Sequence, residues 1–426
     1  MITKKAISKL EQHRGELAEI CSQLIQRPSA HPEGNTVECV SYIQAYFERW
    51  GVRTEIFKAN KDKPNIVARI GQGLDKKIMW VGHLDVVPPG NPDNWTFPPY
   101  SGKIDDNGTI WGRGSSDMKG ACAAAMVAAR VLNELEPLPN SVDFWFTADE
   151  EIGGGEGALW LAQTGSLEGD VCIIGDGTPG TLTDPSIDLG CKGAVWTTIR
   201  AHGKTAHGSR PFLGENALDK LLRVIPYVKK IADYPLDVPS ELEPVITSTV
   251  NYMMNEQLNH HQKGALKRLF HYPSVTLNVL NGGVKINVVP DSAEAQFDIR
   301  LTPGTTPSRI REQLCNLVEK AGEREVTVDF QNLSDTAGYY ESPNTPFAQQ
   351  LAQTVEQITG NTPIFKILTG GTDAIPIKRY VDIPCLGFGS SLEGQAHVPN
   401  EHNSLDVLMM SAKVYTAFPL LFEPAN

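Results

Sequence analysis

Up to about residue 190 the chain alternates between two kinds of apolar pattern. Short, nearly continuous apolar runs at Asn65–Ile70, Ile78–Gly82, Ser141–Phe146 and Val171–Ile174 predict strands buried on both faces. Between them, Ser8–Arg27, Val37–Trp50, Lys119–Glu134 and Gly157–Gln163 carry helical patterns. Strands separated by helices imply an α/β domain with a doubly wound, mostly parallel sheet. Such sheets bind ligands beyond the carboxyl ends of their strands. After Cys191 the pattern changes: strands at Lys192–His202, Ser274–Leu280, Ala293–Leu301 and Val326–Asn332 are charged and alternating, with helices at Glu215–Tyr234 and Pro307–Gly322. This β-α-β-β-α-β order predicts a ferredoxin-like α+β unit with one wet face. Residues Pro235–Pro273 are a polar, helix-rich insertion within it. From about Ser334, helix and strand resume at Thr345–Gly360 and Ile383–Gly387.

Length and charge narrow the class. A chain of 426 residues predicts two domains, and a net charge of −12 argues against nucleic acid or an anionic membrane as partner. The seven cysteines are scattered without a paired spacing, which predicts reduced thiols in a cytoplasmic protein. The charged N-terminal segment lacks the apolar core of a signal peptide, and the longest apolar run, Ala121–Ala129, is too short to span a membrane.

Six residues then stand out at predicted strand ends and loops: His83, Asp117, Glu150, Glu151, Asp176 and His397. Two imidazoles and three or four carboxylates at one sheet edge are a donor set suited to a pair of divalent, zinc-like ions. His397 belongs to this set, so the tail must rejoin the first domain. The expected division is therefore 1–191 with 334–426 as a metal-binding domain, and 192–333 as an insertion. Period-2 geometry puts Asp85 on the same side as His83, where it can orient the imidazole. Glu150 and Glu151 are adjacent, so they point in different directions, and one can ligate while the other acts as a base. The glycine-rich segment after them lacks the Gly-Lys-Ser/Thr of a phosphate loop, and HVPNEH lacks helical zincin spacing.

Six motifs, HLDVVP, GRGSSDMKG, ADEEIGGGEGA, GDGTP, GKTAHGSRP and AHVPNE, run in order along almost the whole chain. Together they resemble the dinuclear-zinc aminoacylase and carboxypeptidase family, which includes acetylornithine deacetylase, succinyl-diaminopimelate desuccinylase and glutamate carboxypeptidase. The resemblance implies two divalent ions, zinc above all, with cobalt or manganese as alternatives. It assigns His83 to one ion, His397 to the other and Asp117 to both, with Asp117–Met118 as a cis peptide. Glu151 and Asp176 become terminal ligands and Glu150 the general base; many members carry Glu-Pro where this chain has Asp176-Gly177. It also implies that His207 donates to the oxyanion, from across a homodimer in dimeric members, through an inserted lid and dimerisation domain. Arg300, Asn287, Gly371 and Thr372 match positions that hold substrate. The implied activity is hydrolysis of an N-acyl amino acid, with a dipeptidase or carboxypeptidase as the alternative and a silent binding protein ranked lower.

Overall fold

The computed structural model describes residues 2–71, 76–135, 137–254, 258–331 and 336–423. It divides into two compact units, the first formed by Met1–Gly190, Glu341–Lys366 and Thr372–Asn426, the second by Cys191–Tyr340 and Ile367–Gly371. The expected boundary at 333/334 lies outside the described residues.

The first unit is built on a mixed sheet. Its strands follow the order Arg53–Phe57, Asn65–Ile70, Ser141–Thr147, Lys77–His83, Val171–Ile174, Cys385–Gly387 and Ser186–Cys191. The four from Ser141–Thr147 to Cys385–Gly387 run parallel, and the flanking pairings are antiparallel. Every residue of Ser141–Thr147 is buried, as expected for a strand covered on both faces. The alanine-rich helix Lys119–Asn133 lies almost wholly in the core. The helix Leu405–Leu421, apolar on nearly every side, is buried as well. At the centre, Trp80 packs against Phe146 and Tyr415, each with ring centroids 5.5 Å away. Among the described residues, no helix is long and apolar enough to cross a membrane.

The second unit is a four-stranded antiparallel sheet in the order Ser274–Gly282, Ser292–Leu301, Gly193–His202 and Val326–Phe330. Helices Ala217–Lys229 and Pro307–Lys320 contribute to its single core. This is the ferredoxin-like arrangement. On Ser292–Leu301, Ala293, Ala295, Phe297, Ile299 and Leu301 are buried, while Glu294, Gln296, Asp298 and Arg300 are more open. The insertion contains helices Glu243–Met253 and His260–Arg268. It is tied to the sheet by Lys192 Nζ donating to the Leu269 carbonyl (2.6 Å) and Thr302 Oγ1 to that of Phe270 (2.6 Å).

Several expected elements change. Ser8–Arg27 is not one helix: Ile2–Gln12 and Arg14–Ile25 are separated at His13, beside the poor helix former Gly15. The helix expected from Glu215 begins at Ala217, because the Asn216 side chain caps it by accepting from Leu218 N and Asp219 N. The last strand of the second unit ends at Phe330; Asn332, its expected end, lies outside the described residues.

Candidate active site

His83 closes the Lys77–His83 strand, and its ring Nδ1 donates to the Asp85 carbonyl (2.9 Å). In the neutral ring that leaves a lone pair on Nε2. This nitrogen is buried without a hydrogen-bond partner, 3.3 Å from Asp117 Oδ1 and 3.9 Å from Glu150 Oε2. Asp117 Oδ2 lies 3.1 Å from His397 Nε2, which is also 3.1 Å from Glu151 Oε2. Glu151 Oε1 is a second buried, unpaired atom. The ligand atoms of His83, Asp117 and Asp176 lie within 4.8 Å of one another, as do those of Asp117, Glu151 and His397. Asp117 is common to both groups. The Asp117–Met118 peptide is cis.

Electrostatics test whether cations fit. Burial pushes Glu150 well above the ordinary carboxylate range against the pull of His83, with Asp176 and Asp373 adding to the rise. Burial and then the Asp117 charge raise Glu151 and lift Asp176 to about 7. Contacts with Asp117 and Glu151 raise His397 to about 10. Burial lowers His83, but Asp117, Asp85 and Glu150 outweigh it. For Asp117, burial acts upward, yet His397 and His83 hold it below the usual range. Buried carboxylates crowded this closely need positive charge among them, which protonated imidazoles or bound cations can supply. Two divalent ions fit this donor set.

Asp85 works differently from expectation. Its carbonyl, not its carboxylate, receives the His83 ring. The fully buried carboxylate instead accepts Glu150 N (3.2 Å) and Glu151 N (3.1 Å) and meets His31 Nε2 (2.9 Å). The loop bearing the two acids is also held by Lys63, with Nζ 2.6 Å from Asp149 Oδ1 and 2.9 Å from Glu156 Oε2. Asp149 adopts φ 71°, a left-handed conformation uncommon outside glycine. Gly157 closes the loop so tightly that a Cβ there would lie 1.7 Å from the Ala148 carbonyl oxygen.

The remaining expected residues are dispersed. His207 and Asn287 lie together in the second unit, where Ala206–His207 pairs with Val288–Val289 and Gly208 N donates to the Asn287 carbonyl (2.8 Å). His207 Nδ1 accepts Ser209 N (3.1 Å), so the neutral ring carries its proton on Nε2. Arg300 is already engaged, its Nε 2.8 Å from Asp298 Oδ1 and its Nη2 3.0 Å from Oδ2. Gly371 falls in the second unit and Thr372 in the first. There the Thr372 hydroxyl accepts Ala374 N (3.3 Å).

Residues 79–420 match Peptidase family M20/M25/M40. The chain belongs to this family. It is a metal-dependent hydrolase of amide C–N bonds. A probable succinyl-diaminopimelate desuccinylase of Staphylococcus aureus (strain MSSA476) is 29% identical over 392 residues, covering 89% of this chain and 91% of the relative. A succinyl-diaminopimelate desuccinylase of Paracoccus denitrificans (strain Pd 1222) is 30% identical over 360 residues, covering 83% and 85%. In fold, the chain is similar to an M20 family metallo-carboxypeptidase of Sulfolobus solfataricus (TM-score 0.80, 22% identity, 95% and 99% coverage). It is also similar to the di-peptidase Dug1p of Saccharomyces cerevisiae (TM-score 0.81, 15% identity, 98% of each chain).

Four residues of this M20 site escaped the sequence reading: His31, Lys63, Asp149 and Asp373. The buried Asp373 carboxylate accepts the Thr147 hydroxyl (2.8 Å) and is raised to about 6 by burial. Asp149 lies within ADEEIGGGEGA and Asp373 directly follows Thr372, which was the available signal. His31 and Lys63 sit in loops remote in sequence, and no local pattern marks them.

Proposed function

We propose that this chain is a two-ion aminoacylase that removes an acyl group, of the succinyl or acetyl type, from the amino group of an amino acid. The observation that carries this reading is the pair of three-residue donor groups sharing Asp117, with Glu150 beside them. His83, Asp117 and Asp176 would hold one ion, and Asp117, Glu151 and His397 the other. When bound, the ions, zinc above all, with cobalt or manganese as alternatives, supply the charge that acidifies water and polarises the amide carbonyl. Glu150, outside both groups, accepts the proton of the attacking water and delivers it to the departing amine. Asp85 orients that work by holding the amides of Glu150 and Glu151. His207 offers its Nε2–H to the developing oxyanion. Asn287, Gly371 and Thr372 contact the substrate, and Arg300 meets its carboxylate with the guanidinium edge that Asp298 leaves open.

The second unit serves in this reading as a lid and as the contact of a homodimer. Exposed Phe212, Leu213, Val284 and Ile286 near His207 support that role. A cytoplasmic location agrees with seven unpaired cysteines. The relatives named as desuccinylases favour deacylation of small molecules, while the peptidase titles of the fold neighbours motivate a second reading as a dipeptidase or carboxypeptidase. Assay of metal-loaded protein against succinyl-, acetyl- and formyl-amino acids and dipeptides, following free amine, separates the two. Release from dipeptides alone would replace deacylation by peptidase action, and release from none would remove the reading.

A further inference from the structure

Between the two donor groups and the end of the chain lies a buried ion pair that none of the chemistry above uses. Glu401 is fully buried and Arg113 is 2% exposed. Glu401 Oε1 accepts three backbone amides, those of Gly114 (3.0 Å), Ser116 (2.9 Å) and Asp117 (3.0 Å). Its Oε2 accepts Arg113 Nη1 (2.5 Å). Three converging N–H groups form a concavity suited to an anion, and here a side chain of the protein fills it.

The consequence lies in what the carboxylate joins. Asp117 carries one of those amides, and Glu401 follows His397 by four positions. Between them Asn400 is itself anchored, its Oδ1 accepting Thr96 N (2.6 Å). Further bonds repeat the tie: Gly112 N donates to the Glu401 carbonyl (2.9 Å), Ser116 Oγ to that of His402 (2.8 Å) and Asn403 Nδ2 to that of Ser115 (2.8 Å). The strand His402–Ser404 pairs with Thr109–Trp111 in the same place. His397 adopts φ 64° and its side chain is half exposed, so little packing holds it from outside.

From this we infer that Glu401, with Arg113, is a positioning residue that fixes the spacing of Asp117 and His397 and so sets the affinity of the ion held by Asp117, Glu151 and His397. The inference rests on the two-ion reading. Arg113 neutralises the carboxylate, so the device adds no net charge beside the donor groups. His83 and Asp176 stand on their own sheet strands, one at the end of Lys77–His83 and the other just past Val171–Ile174, and are less dependent on it.

Zinc alone is the probe, titrated into metal-free protein in a chelator buffer, with cobalt absorption as a second readout. Wild type binds two ions. Glu401→Gln keeps the volume but turns an amide NH₂ toward Arg113, and should weaken one ion by about 10–100-fold, the usual effect of losing a ligand's support. The other ion should change much less, so the ratio of the two affinities moves. A purely structural role would lower the melting temperature of the metal-free protein and leave that ratio alone; this outcome overturns the inference. If Glu401→Gln does not fold, Arg113→Lys, which keeps the charge but not the fork, decides by the same ratio with a smaller shift. A wild type saturating at one ion would instead overturn the two-ion reading.

Discussion

The two units use strands in opposite ways. Ser141–Thr147 is buried at every position and delivers chemistry only where it stops, at the loop carrying Glu150 and Glu151. Ser292–Leu301 is buried at every second position and displays polar groups along its length, Arg300 among them. A strand covered on both faces has no lateral room for a ligand, so its functional groups collect at its end. A one-faced strand can present a side chain anywhere, but less rigidly, and Arg300 is accordingly drawn to its neighbour Asp298. The first unit thus concentrates the candidate ligand groups, and the second displays polar groups along an open face.

Substitutions can break this division. The largest effect is expected at Glu150→Gln, with turnover down about 10²–10⁴-fold and metal content retained. Glu151→Gln should lose metal instead, as elemental analysis after dialysis would reveal. His207→Ala, in the second unit, should cost about 10²–10³-fold in turnover while both ions stay bound. Mixing it with Glu150→Gln should restore some activity if His207 serves a partner's site. No recovery despite proven subunit exchange would return His207 to its own chain.

Stability effects are smaller and sharpen the same contrast. Gly157→Ala should cost about 1–3 kcal/mol or more by denaturant unfolding, since its Cβ has no space against Ala148. Burial, and then Arg300, lower Lys192 in the second unit to about 7. Between pH 7 and its ordinary value of 10.5 the unfolded chain binds the extra proton, so this group makes stability rise with pH across that window. Lys192→Met should remove a slope of up to about 1.4 kcal/mol per pH unit. Gln296→Ala, on the open face of the second sheet, should stay within about 0.5 kcal/mol of wild type.

How legible these regions were follows from the same physics. Asn65–Ile70 and Val171–Ile174 were read with their observed bounds, because continuous apolar runs with polar ends have few other meanings. Leu405–Leu421 was missed, since a helix apolar on nearly all sides has no 3.6-residue stripe to recognise. Arg53–Phe57, an edge strand without a fully buried residue, gave little apolar signal. Residues with unusual chemistry at motif positions could be named from sequence. Those that merely hold them, such as His31 against Asp85 or Lys63 against Asp149, are ordinary residues in ordinary contexts. Their meaning lies in a distance across the fold.

The pairing of Cys385–Gly387 with Val171–Ile174, and of His402–Ser404 with Thr109–Trp111, also has a meaning for cooperativity. In the first unit a strand that follows the second unit in sequence lies between two strands that precede it, Val171–Ile174 and Ser186–Cys191. Neither stretch of the first unit closes the sheet without the other. A single cut anywhere in the second unit would leave the first unit as two pieces joined only by noncovalent contacts, and these would have to unfold together.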